Sequence, residues 1–104
     1  MDQDTVITDL IIELKTFLDD IREDSRISPV HISLFTAILQ QWDENKCRNP
    51  IVISPGDLMQ LSKISGRATY YKSLKELSKY GYIYYEPSHK RVPGSLIYLK
   101  SKMI

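Results

Sequence analysis

The chain has 104 residues, enough for one domain with a modest core. It is 42% hydrophobic and 26% charged, with a formal net charge of +1, which places it among ordinary globular chains and excludes disordered and collagen-like classes. A single cysteine, Cys47, excludes an internal disulfide and metal-binding cysteine pairs, and early acids (Asp2, Asp4, Asp9, Glu13) break any signal-peptide or membrane-length apolar run. A cytoplasmic location without membrane contact is expected.

The first helix is signalled by Ile7, Leu10, Ile11, Leu14, Leu18 and Ile21, with Phe17 widening the stripe. Within it, Ile7, Ile11, Leu14, Leu18 and Ile21 alternate spacings of four and three, the seam of a short heptad pattern. Two heptads do not sustain an isolated coiled coil, so this helix packs on its own chain or pairs with a second subunit. A polar connection, Glu23 to Arg26, closes this N-terminal unit of residues 1–26.

Residues 27–104 form the second unit. Ser28-Pro29 opens a helix with a capping hydroxyl and a proline where no backbone donor is lost. Leu34, Phe35, Ile38, Leu39 and Trp42 repeat at helical period along it, and His31 falls at the edge of that stripe. Asn49-Pro50 marks a turn, and Ile51-Val52-Ile53 a minimal strand. Ser54-Pro55 starts a third helix through Leu58, Met59 and Leu61, followed by a glycine-bearing turn, Lys63 to Gly66. A fourth helix runs from about Arg67 to Tyr80 and stops at Gly81, a residue suited to a left-handed C-terminus. Tyr82 to Tyr85 and Leu96 to Leu99 read as strands around a loop of residues 87–95 that carries Lys90 and Arg91.

From Ser28 onward this is the element order of a winged helix-turn-helix. The expected fold class is α+β, mainly helical: a three-helix core, a small antiparallel β-wing and an extra N-terminal helix. In such an arrangement the second helix of the pair enters the major groove and its first turns reach base edges. The faces of the fourth helix divide accordingly. Tyr70, Ser73, Leu74 and Leu77 share one side, while Arg67, Thr69, Tyr71, Lys72 and Lys75 are left for others. Lys63 and Ser65 lie in the turn before it, where backbone donors at the helix start favour phosphate.

Charge points the same way. Residues 1–62 carry eleven acids against five bases, a balance of −6, and residues 63–104 carry nine bases against two acids, a balance of +7. Such asymmetry favours a polyanionic partner for the second part. No phosphate-binding glycine loop, zinc spacing or nucleophile motif occurs, so no enzyme, cofactor or small-molecule ligand is indicated. Asp19, Asp20, Glu23 and Asp24 lack the spacing and glycine of a calcium loop and read as a solvated helix end. The seven tyrosines, all in the second half, suit strands and half-buried surfaces better than a base-stacking platform.

The run Gly66-Arg67-Ala68-Thr69-Tyr70-Tyr71-Lys72-Ser73-Leu74-Lys75-Glu76-Leu77, then Tyr80-Gly81-Tyr82-Ile83, resembles the recognition helix and first wing strand of bacterial winged-helix regulators. It looks closest to small stand-alone winged-helix proteins of Bacteroidetes. The resemblance implies double-stranded DNA as partner, with Arg67, Thr69, Tyr71 and Lys72 at the DNA-contacting positions and Lys90 and Arg91 in the wing role. It implies a regulator of transcription; an accessory protein of replication or of a mobile element, or a winged helix used between proteins, are the alternatives. A homodimer through the first helix would match paired half-sites on DNA.

Overall fold

The computed structural model describes residues 3–87 and 95–100, with side chains from residue 8 onward. Its described residues form four helices and three strands, an α+β arrangement that is mainly helical: α1 (Gln3–Asp20), α2 (Pro29–Glu44), β1 (Ile51–Ile53), α3 (Pro55–Ser62), α4 (Arg67–Lys79), β2 (Ile83–Glu86) and β3 (Ser95–Leu99). No helix among them is long and apolar enough to cross a membrane.

α2 is the hub. Proline at its start is compatible with the open first turn, and the His31 ring reaches back so that the Ser28 backbone N–H donates to Nδ1 at 2.9 Å. Leu34, Phe35, Ala37, Ile38, Leu39 and Trp42 are all buried, so the helix is covered on several sides and not along a single stripe. On one side Phe35 stacks on Phe17 of α1, ring centroids 3.8 Å apart and nearly parallel. On the other, Ser33 Oγ donates to the Ser62 carbonyl at the end of α3.

The α1 seam divides. Phe17 is buried, while Leu10, Leu14 and Ile21 are half-buried against the core. Ile11 and Leu18, by contrast, are 60% and 41% exposed. The heptad spacing places these residues on adjoining flanks of the helix, and only one flank faces α2. Ile7 falls outside the described side chains. Glu13 is the unexpected member of the packed flank, a carboxylate only 7% exposed.

The sheet has the order β1-β3-β2 and is antiparallel throughout. β3 pairs Ile97 with both Ile51 and Tyr85, and Leu99 with Ile83. Alternation sends Ile51, Ile53, Ile83, Ile97 and Leu99 into the core, and leaves Val52 and Tyr84 exposed on the other face. The Leu99 N–H is held by Asn49 Oδ1 at 2.9 Å, tying the approach to β1 onto the central strand. The peptide bond between Asn49 and Pro50 is cis.

Two left-handed residues set the direction of the last helices. Lys63 closes α3 at φ 63°, and Gly81 follows α4 at φ 90°, a backbone conformation that strains any L side chain. Beyond Gly81 the Tyr82 N–H returns to the Leu77 carbonyl at 3.0 Å, so β2 leaves α4 at a fixed angle.

Candidate nucleic-acid interface

α3 and α4 are joined by the turn of residues 63–66. Ile64 is the buried peg of that turn, with its N–H bonded to the Met59 carbonyl at 3.0 Å. The turn therefore cannot drift relative to α3, and α4 starts from a defined point. Gly66 caps α4 without any side-chain hydrogen bond, so the opening N–H groups of this 13-residue helix face outward uncapped, at the positive end of its dipole.

The buried side of α4 consists of Tyr70, Ser73, Leu74 and Leu77. Opposite it, Ala68, Lys72, Lys75 and Lys79 follow one another at spacings of four, three and four, and all are exposed. Arg67 and Thr69 are also exposed at the helix start, as are Lys63 and Ser65 in the turn. Seven of the nine residues expected to meet nucleic acid thus lie on described, solvent-facing or partly open positions around one helix and its turn. Tyr71 differs from Lys72 and Arg67 in being half-buried, its ring set edge-on to Tyr70 at 4.9 Å between centroids. That packing leaves one margin of Tyr71 for an outside partner. Lys90 and Arg91 lie outside the described residues; the pairing of Glu86 with Leu96 fixes where their connection joins the sheet.

Lys79 was not among the residues expected from sequence. Its place in the last helical turn suggests only a charge that favours the helix dipole. The signal that finds it is the 72-75-79 spacing, which puts three ammonium groups on one ridge.

The acid on this helix is turned away from the ridge. Glu76 Oε1 accepts from His31 Nε2 at 3.1 Å, and Oε2 accepts from the Tyr80 hydroxyl at 3.2 Å. Because Ser28 N–H already occupies His31 Nδ1, the imidazole proton sits on Nε2 and points at Glu76. Burial works to raise the Glu76 pKa, but the His31 and Tyr80 hydrogen bonds, aided by Lys72, leave it below the usual value. The carboxylate stays charged and is held towards α2 by these two hydrogen bonds, while Lys72, Lys75 and Lys79 face outward.

Compared with family models, with curated proteins and with solved structures, the chain has no match. The geometry has to carry the functional reading.

Tyr80 continues the polar chain. The Arg26 guanidinium lies 4.1 Å above its ring centre, and Arg26 grips Asp24 through Nε and Nη2, each at 2.8 Å. Asp24 also accepts from the Tyr82 hydroxyl. The loop between α1 and α2 is thereby fastened to both ends of the α4–β2 junction, which fixes the helix that bears the ridge. No group of three or more His, Cys, Asp or Glu side chains able to hold a metal ion occurs among the described residues. Cys47 is half-buried after α2, with a left-handed backbone.

Proposed function

We propose that the chain is a winged helix-turn-helix protein that binds double-stranded DNA, acting as a cytosolic regulator of transcription. In this reading α4 enters the major groove, and the wing expected over residues 87–95 meets the backbone or the adjacent minor groove. The single observation that carries this reading is the exposed cationic ridge of Lys72, Lys75 and Lys79, with Arg67 at the helix start, on a helix whose one acid, Glu76, is hydrogen-bonded to His31 and Tyr80. An uncapped helix N-terminus beside Lys63 and Ser65 adds phosphate-directed donors. The element order and the antiparallel β2–β3 hairpin after α4 support the winged arrangement.

Arg67 and Thr69, nearest the helix start, are the base-edge readers; Lys63, Lys72 and Lys75 neutralise phosphates. Two copies meet through α1, a reading supported by Ile11 and Leu18, exposed seven residues apart.

The deciding experiment is a selection of duplexes from a random pool at stated salt, followed by titration of the recovered sequence. A recovered motif, with binding weakened and its salt dependence flattened in the Arg67→Ala/Lys72→Ala double variant, is the expected result. Absence of duplex binding at low salt, or an unchanged double variant, overturns it.

A further inference from the structure

A groove runs between the end of α2, the start of α3 and the edge strand β1. Gln41 and Glu44 line it from α2, Val52 from β1, and Asp57 from α3. Its charged side chains are two exposed carboxylates, Glu44 and Asp57. Neither forms an ion pair or a side-chain hydrogen bond among the described residues. Lys46 and Arg48 follow in the loop after α2 and line no part of the groove.

Helix stability does not explain Glu44. It ends α2, where the backbone dipole is negative and disfavours a carboxylate, and no base stands in that last turn to offset it. Asp57, in the first turn of α3, suits its own helix, so the uncompensated charge is greatest at Glu44. Gln41 points the same way. It lines the groove, is only 6% exposed, and its carboxamide forms no hydrogen bond among the described residues. A buried polar group without a partner is costly, so this amide is placed for one that comes from outside.

The chemistry of the wall selects the occupant. A carboxamide offers donors and an acceptor together, the complement of the C=O and N–H of a peptide group, whereas a metal ion or a small amine uses only its oxygen. Carboxylates only accept, and the planar guanidinium fork meets them with paired bonds that an ammonium group does not match.

We propose that this groove binds an extended, arginine-bearing peptide segment of a protein partner. A main-chain group of the peptide pairs with the Gln41 carboxamide, and its guanidinium groups meet Glu44 and Asp57. No residue of the groove belongs to the α4 ridge, so the proposal stands or falls apart from the nucleic-acid reading.

The probe is the blocked pentapeptide acetyl-Val-Arg-Val-Arg-Val-amide, whose arginines share one face of an extended chain. Its lysine and glutamate counterparts serve as comparisons. Calorimetric titration of the full chain at fixed salt is expected to give saturable binding, about tenfold or more tighter than the glutamate peptide and several-fold tighter than the lysine peptide. Glu44→Gln/Asp57→Asn should weaken it about tenfold, while Asp20→Asn, which removes an exposed acid on α1, changes it by less than about twofold. The side-chain amide NMR signals of Gln41 should shift as the unaltered chain is saturated. Equal or tighter binding of the glutamate peptide, a lysine peptide as tight as the arginine one, or lack of saturation at millimolar peptide overturns the proposal. So does unchanged affinity in a folded Glu44→Gln/Asp57→Asn chain, or an equal loss in Asp20→Asn. If the double variant does not fold, the Gln41 amide decides: signals that stay in place at saturation overturn it.

Discussion

His31 on α2 donates its Nε2 proton to Glu76 on α4 across 3.1 Å, while its Nδ1 receives the Ser28 N–H at the head of α2. One ring therefore caps one helix and anchors another. Replacing Glu76 by glutamine keeps the shape but removes the charge that accepts both hydrogen bonds. The expected outcome is a lower urea midpoint with an unchanged slope, the mark of lost stability without altered compactness.

Acid should unfold the protein through the same groups. Asp24 is held well below the ordinary carboxylate range by hydrogen bonds from Arg26 and Tyr82, and Glu76 is lowered by His31 and Tyr80 despite the opposing effect of burial. A depressed folded-state pKa contributes stability that is complete above the unfolded value, near 4, and is lost as pH falls below it. Urea midpoints measured from pH 6 down to about pH 2 should decline below about pH 4, less steeply in Asp24→Asn. A parallel decline in that variant would show that other groups carry the acid limb.

The alkaline limit involves tyrosines, since burial raises Tyr70 and Tyr80 as well as Tyr82. Burial first, and then the hydrogen bond to Asp24, push the Tyr82 hydroxyl up to about 12. A raised pKa contributes stability that is present below the unfolded value, about 10, and disappears as pH rises towards the folded one. Stability should fall between about pH 10 and pH 12, and Tyr82→Phe should lose part of that dependence. Spectrophotometric titration of tyrosinate absorbance checks the assignment, one late-ionising ring vanishing in the variant.

Tyr70 is fully buried, and its hydroxyl has no hydrogen-bond partner among the described residues. An unpaired buried hydroxyl costs about 1–3 kcal/mol, whereas its removal with the ring retained costs little packing. Tyr70→Phe should raise stability by about 1 kcal/mol in chemical denaturation. A loss of comparable size would reveal a partner for the hydroxyl.

On the nucleic-acid side, Lys79 gives the sharpest test, because ridge geometry and not sequence resemblance brings it in. Lys79→Ala should weaken binding across all duplex sequences and reduce the salt slope by about 1. A change of sequence preference instead would move Lys79 from phosphate to base contact.

For the α1 surface, light scattering of the Ile11→Lys/Leu18→Lys variant should give the monomer mass, against twice that mass for the unaltered chain. A monomer in both, across the accessible concentration range, removes the second-copy reading of α1.

Local signals carried much of the fold. Ser28-Pro29, Ser54-Pro55 and Gly81 mark helix boundaries through the chemistry of one or two residues, and the elements start and stop within a residue or two of them. What could not be read is what depends on partners distant in the chain. Periodicity places Ile11, Leu14 and Leu18 on one broad stripe, but which flank meets α2 is decided by Phe35 and Tyr82, eighteen and sixty-five residues beyond Phe17. The same holds for Glu76, whose hydrogen-bond partner His31 is forty-five residues away.

The sheet order β1-β3-β2 has a consequence for biosynthesis. The middle strand follows both of its neighbours in the chain, so on the ribosome Ile51–Ile53 and Ile83–Glu86 emerge with nothing to pair with until residues 95–99 arrive. The helices meet their neighbours as translation proceeds, whereas the sheet closes in a single late event. A message truncated before Ser95 would release a chain with two open β-edges, a species for quality control to remove.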